Sequence, residues 1–207
     1  MIRECPVVFI LVCLLGCACA GTGYQTSRPD EEMNSGVIYP DEEINSALIY
    51  GENFTFGVTA PEGWVLDYSS GVPLGLDGLF YPEESSWQES TVDMYAKVRT
   101  KRREGQETIE EIMLRDISRF KREAPDVVIE DAPGPLFTRD GRTATVKYFK
   151  NSARRNYEAV AYINESKIVV LFVLGSDTAK EFEASLSSFE KLVASYFFMD
   201  VNVKVIE

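Results

Sequence analysis

Glu158-Ala-Val-Ala-Tyr-Ile163, Asn164-Glu-Ser-Lys167 and Ile168-Val-Val-Leu-Phe-Val-Leu174 together decide the reading of the fold. Two apolar runs of strand length flank four polar residues suited to a turn, so the stretch is a β-hairpin. The second run has no polar residue at any position. A half-buried strand alternates apolar and polar side chains, whereas a strand apolar throughout is covered on both faces. Helices on both faces of one antiparallel sheet are therefore expected.

The flanking segments supply those elements. Upstream, Phe137-Thr138 and Thr143–Phe149 enclose Arg139-Asp140-Gly141-Arg142, a second hairpin whose Asp-Gly pair suits a type I′ turn. Val127-Val-Ile129 reads as a short strand. Before it, Ile109, Ile112, Met113, Ile117 and Phe120 recur at helical spacing, with Thr108 and Glu111 as a capping box and Pro125 as the stop. Arg115, Arg119 and Arg122 lie on the polar flank of that helix. Val92, Met94, Ala96 and Val98 alternate with polar residues, the period of a half-buried strand. Phe54–Val58 opens the domain as a strand, and 69–78 is a turn-rich loop. Downstream, Phe182, Leu186, Phe189, Val193 and Tyr196 stripe a second helix over about 178–197, with Thr178 and Glu181 as its box. Val201, Val203 and Val205 alternate as a terminal edge strand.

The N-terminal quarter reads differently. All four cysteines, Cys5, Cys13, Cys17 and Cys19, fall in the first nineteen residues, so the domain has neither a disulfide framework nor a thiol nucleophile. Residues 6–16 are an apolar run too short to span a bilayer but suited to the core of a signal peptide. Two cleavage readings stand. Leu14-Leu15-Gly16-Cys17 looks like a lipoprotein box, which makes 1–16 the signal and Cys17 the lipidated N-terminus, carrying acyl chains such as palmitate. Ala18-Cys19-Ala20 before Gly21 is an ordinary A-x-A site, which would leave a soluble secreted or periplasmic protein. The first is the working expectation, with the chain held in a bacterial cell envelope. Ala18 after the cysteine points to the outer membrane, facing the periplasm, in a two-membrane bacterium. Residues 29–39 and 40–50 are near-copies (Pro-Asp-Glu-Glu-x-Asn-Ser-x-x-Ile-Tyr). Together 17–51 read as an acidic flexible tether with a reach of roughly 30–35 Å, leaving 52–207 as one domain.

From Phe54-x-Phe56 and Pro61-x-Gly63-Trp64, the order runs through the 108–123 helix, Asp140-Gly141 and Tyr157-Glu-Ala-Val-Ala-Tyr162 to Ser195-Tyr196. This order resembles the PsbP-like domain family over about residues 52–197. That resemblance implies an α+β fold, a central antiparallel sheet with helices on both faces (an α/β/α sandwich). It also implies a binding or assembly module rather than an enzyme. Some members' metal-linked role involves histidine, and this chain has none, so no metal residue is carried over.

Composition narrows the chemistry further. The 207 residues include 33 acidic and 21 basic side chains and no histidine, for a net charge of −12. Nucleic acid is an unsuited partner, a Ser-His-Asp triad is excluded, and no cofactor motif occurs. The dense basic cluster Lys97, Arg99, Lys101, Arg102 and Arg103 is a candidate partner-binding surface, the last four being its core. A solvated strand edge and loop is the competing reading. Trp64 is a candidate groove residue beside the glycine-rich loop, or else a cap on the core. Asp67, Asp93, Asp116 and Asp140 are spread over different elements. The expected function is a lipid-anchored, non-catalytic envelope module that binds a protein or small ligand. The alternative is a carboxylate-based hydrolase.

Overall fold

The structure, a computed structural model, describes residues 35–38 (backbone only), 45–51, 54–102 and 106–199. In chain order the strands are β1 (Ser35–Ile38), β2 (Ser46–Gly51), β3 (Phe54–Thr59), β4 (Trp64–Asp67), β5 (Gly78–Pro82) and β6 (Val92–Thr100). After α1 (Ile109–Glu123) come β7 (Val128–Asp131), β8 (Leu136–Phe137), β9 (Thr143–Lys150), β10 (Tyr157–Asn164) and β11 (Ile168–Ser176). The last described elements are α2 (Ala179–Ser195) and β12 (Phe197–Phe198).

Strands β10 and β11 pair antiparallel from Tyr157 opposite Ser176 to Asn164 opposite Val169. All of β11 is buried, and its alternating side chains enter two different cores. Ile168, Val170, Phe172 and Leu174 join Phe182, Phe189, Leu192 and Val193 of α2 and Tyr196 at its C-cap. Val169, Leu171 and Val173 join Ile112 and Phe120 of α1. The helix ends are capped as their sequences require. Thr108 accepts from the Glu111 amide while Glu111 accepts from the Thr108 amide, and Thr178 accepts from the Glu181 amide.

The architecture nevertheless corrects the expected class. Among the described residues strand predominates over helix. The strands form a four-stranded sheet in the order β1-β2-β3-β12 and an eight-stranded sheet in the order β4-β5-β6-β11-β10-β9-β7, with β8 on β9. Among the described residues only two α-helices and one 3-10 turn (Val72–Leu74) accompany them, so this is not a helix-covered α/β/α sandwich. Seven strands abreast, at about 4.8 Å each, make a face roughly 30 Å wide, about three helix diameters. A single helix cannot cover it. On the α2 side the small sheet supplies the missing apolar surface, through Ile49, Phe56 and Val58. Among the described residues nothing equivalent is added on the α1 side.

Three smaller readings change too. Ser35–Ile38 and Ser46–Gly51, placed in the tether, are β1 and β2, and Ala47 and Ile49 are core residues. The second copy of the repeat thus ends in a strand whose alternation matches a half-buried face. The Asp140-Gly141 turn is not type I′. Gly141 alone there has positive φ (81°), and Thr138 exchanges bonds with Arg142, which makes a three-residue loop with a left-handed glycine. The strand expected at 201–205, the signal segment and Cys17 lie outside the described residues. Among the described residues no helix is long and apolar enough to cross a membrane.

Candidate functional site

Strand β6 is amphipathic in an unusual way. Met94 and Ala96 enter the α2-side core, while Asp93, Tyr95, Lys97 and Arg99 occupy the alternate positions on the α1 side. That side is therefore lined by ionisable groups, with α1 reaching the Lys97 and Arg99 end through Asp116 and Arg119 and not lining the cavity at the Asp93 and Tyr95 end. α1 itself lies over β10 and β9, where Phe120 stacks on Phe149 with ring centres 4.0 Å apart.

Register places a row of residues along the open end. Asp93 is opposite Gly175, and Gly175 is opposite Glu158. The two carboxylates therefore flank a position without a side chain. A Cβ on Gly175 would come within 2.9 Å of Arg155 Cγ and 3.1 Å of Asp93 Oδ1, so glycine is needed for this close approach. Arg155 crosses the gap and donates to Asp93 Oδ2 at 2.9 Å, to the Ser90 carbonyl at 3.1 Å and to Asp177 Oδ2 at 2.8 Å. The Ser152 hydroxyl donates to Glu158. Burial pushes the carboxyls of both Asp93 and Glu158 up, against the pull of Arg155 on the first and of Ser152 and Arg154 on the second.

Above this floor lies a cavity of about 320 Å³, walled by Leu74 and Leu76 from the 69–78 loop, Trp87 from the following loop, and Tyr95, Arg154 and Arg155. That volume is within the range of small-ligand pockets. It adjoins a recess of about 20 Å³, room for one water, with which it shares Tyr95, Arg154 and Glu158. Lys97, Arg99, Asp116, Arg119 and Phe120 complete the recess. Asp116, 1% exposed, pairs with Arg99 at 2.8 Å and lies 3.6 Å from Arg119. Arg99 Nε, Arg119 Nε and Asp116 Oδ2 are buried there without a hydrogen-bond partner. Burial, and then the charges of Arg99 and Arg154, push the Lys97 ammonium down, with Asp77 opposing. Burial and the charge of Glu158 push the Tyr95 phenol up to about 12.

The basic cluster singled out in the sequence is not one surface. Arg99 faces α1 and is committed to Asp116. Lys101 is buried and donates through Nζ to the Glu165 carbonyl at 2.5 Å. Arg102 donates its amide to Glu107 at 3.0 Å and lines a separate dent with Glu107 and Arg115. Arg103 lies outside the described residues. Trp64 packs in the core at 7% exposure and is not part of this cleft, whose aromatic wall is Trp87. Of the scattered carboxylates, Asp93 and Asp116 come to the cleft and its recess. Asp67 and Asp140 serve their own turns, Asp67 accepting from the Ser69 and Ser70 amides and Asp140 from the Thr138 hydroxyl, while Asp140 also accepts from the Phe198 amide of β12. Arg154, Glu158 and Trp87 were missed. The signal that points to the site is the strand Asp93-x-Tyr95-x-Lys97-x-Arg99, whose non-core face is fully ionisable. Among the described residues no group of three or more histidine, cysteine, aspartate or glutamate side chains could hold a metal ion.

No protein-family model matches the chain, and no curated protein matches it. Among solved structures it is similar to cyanobacterial PsbP (CyanoP) from Synechocystis sp. PCC 6803, known from a solution structure. The identity is 12% and the TM-score 0.45, over 84% of this chain and 98% of that one. A likeness this distant decides neither the activity of this chain nor its site.

Proposed function

We propose that the chain is a lipid-anchored cell-envelope module that binds a small ligand in the cleft between β6, α1 and the 69–78 loop, without catalysing a reaction on it. The observation that carries this reading is the composition of the cleft. One end is apolar and aromatic, the other is cationic, and the volume suits a small molecule. The hydrolase reading has the Asp93–Glu158 pair in its favour. Both carboxylates, however, are already held by Arg155 and Ser152, so neither is free to take or give a proton to a substrate without first breaking those contacts.

Nuclear magnetic resonance titration with a panel of neutral, anionic and cationic aromatic fragments tests the cleft. Shifts at the Trp87 indole and the Leu74 and Leu76 methyls are expected from at least one fragment. A panel that leaves all three unmoved refutes the reading. The anchor is tested separately by mass spectrometry of the native N-terminus. A lipidated Cys17 is expected in the envelope fraction, and an unmodified Gly21 start would make the protein soluble.

A further inference from the structure

We propose that the ligand of this cleft is an amphipathic dianion, a phosphomonoester. Its apolar body lies against Leu74, Leu76 and Trp87, and its phosphate is held by Lys97, Arg119 and Arg154. The proposal rests on the reading of the cleft as a ligand site and adds the chemistry of the occupant.

Charge carries the argument. Four cations, Lys97, Arg99, Arg119 and Arg154, face two carboxylates, Asp116 and Glu158, around the recess, an excess of two positive charges. The whole chain has the opposite balance, at −12, so this excess is local. It is only partly neutralised. Arg99 is committed to Asp116 and Arg119 stands 3.6 Å from it, Lys97 is drawn to Asp77, and Arg154 hydrogen-bonds Tyr95 and pulls on Glu158, but neither Lys97 nor Arg154 enters an ion pair among the described residues. Like charges gathered at close range raise the free energy of the empty site, and a bound dianion removes that repulsion.

Geometry narrows the head group. Arg119 keeps a buried Nε–H without an acceptor, and guanidinium forks match the paired oxygens of a phosphate better than a single ammonium does. Arg154 borders both the recess and the larger cavity. The recess of about 20 Å³ is too small for a whole phosphate, so the phosphate sits at its mouth beside Arg154, with one oxygen directed inward at Lys97 and Arg119, while its ester substituent enters the apolar space. About 320 Å³ holds one ring or a short chain, not the two acyl chains of a membrane lipid. The ligand is therefore a soluble phosphomonoester rather than a bilayer headgroup.

Isothermal titration of the protein with phenyl phosphate, inorganic phosphate, phenol and benzylamine tests this. Phenyl phosphate should bind best, inorganic phosphate more weakly, and phenol and benzylamine not at all at the same concentration. Arg154→Gln and Lys97→Met should each weaken phenyl phosphate about ten- to a hundredfold, with the circular dichroism spectrum unchanged. Trp87→Ala should weaken phenyl phosphate and leave inorganic phosphate as it was. Phenol or benzylamine binding as tightly as phenyl phosphate, or both charge variants binding like the parent, overturns the phosphate and leaves the cleft as a site for another ligand. Vesicles containing phosphatidic acid binding where phenyl phosphate does not would replace the soluble ligand with a membrane surface. No probe binding, together with unmoved Trp87 and Leu76 resonances, removes both the phosphate and the cleft.

Discussion

Replacing Arg99 by methionine isolates the electrostatics under α1. Asp116 is 1% exposed, and its nearest cation is Arg99 at 2.8 Å, with Arg119 farther off at 3.6 Å. Methionine keeps most of the side-chain volume but leaves the carboxylate with one distant partner. Breaking a buried ion pair by removing one member costs about 3–5 kcal/mol. Arg119 retains part of the attraction, so the lower end, about 3 kcal/mol, is expected. Against a total stability of roughly 5–15 kcal/mol that is a large fraction. It corresponds to a fall in Tm of about 6–12 °C for a domain of this size. Urea denaturation at neutral pH should show a lower midpoint with an unchanged slope. The partner experiment is the double variant Arg99→Met with Asp116→Leu. With the charge gone as well as its counterion, most of the loss should return, because replacing both members of a buried pair by apolar groups is often close to neutral. A single variant within about 1 kcal/mol of the parent, or a double variant no more stable than the single, would show that Asp116 is not buried against Arg99 as described.

Three further outcomes follow from the same coordinates. Leu171→Asp should unfold the protein, since Leu171 is 3% exposed beneath α1 and an unpaired charge there costs several kcal/mol; a soluble, cooperative melt would refute this. Burial pushes the carboxyls of Asp77, Asp93, Glu158 and Glu165 up, so the folded state binds protons more readily than the unfolded chain. Stability measured by urea denaturation should therefore rise as the pH falls from 7 toward 5, and Glu158→Gln should flatten that slope. Below about pH 4 the trend should reverse, as Glu181, held down by the Thr91 and Thr178 hydroxyls, takes up its proton. Lys97→Met should raise stability slightly, by about 0.5 kcal/mol after screening by water, because it removes a cation disfavoured first by burial and then by the charges of Arg99 and Arg154. A gain in thermal denaturation with a loss of ligand is the pattern of a site that trades stability for binding.

What the chain's own order determined is local. The 168–174 run specified a strand buried on both faces, because seven successive apolar side chains have no other place in a sheet. The Thr108 and Thr178 caps with their 3.6-residue stripes specified two helices, because unsatisfied amides and apolar faces make those demands within a few residues. The composition removed histidine and cysteine chemistry from the domain before any fold was known. Tertiary structure decided the rest. That a second sheet, rather than more helix, covers the α2 side depends on the width of the paired sheet, which is a sum over strands far apart in the chain. The Ala47 and Ile49 alternation became a strand only because Phe56 and Val58 lie alongside to share the core. Trp64 and Trp87 are equally aromatic in sequence, but one is on β4 inside the core and the other on a loop that walls the cleft beside Asp93 and Tyr95. Lys97, Arg119, Arg154 and Glu158 lie on three separate elements and a connecting loop. Their charges meet only because antiparallel register brings Asp93, Gly175 and Glu158 into one row, and a site assembled from long-range pairing leaves no pattern along the chain.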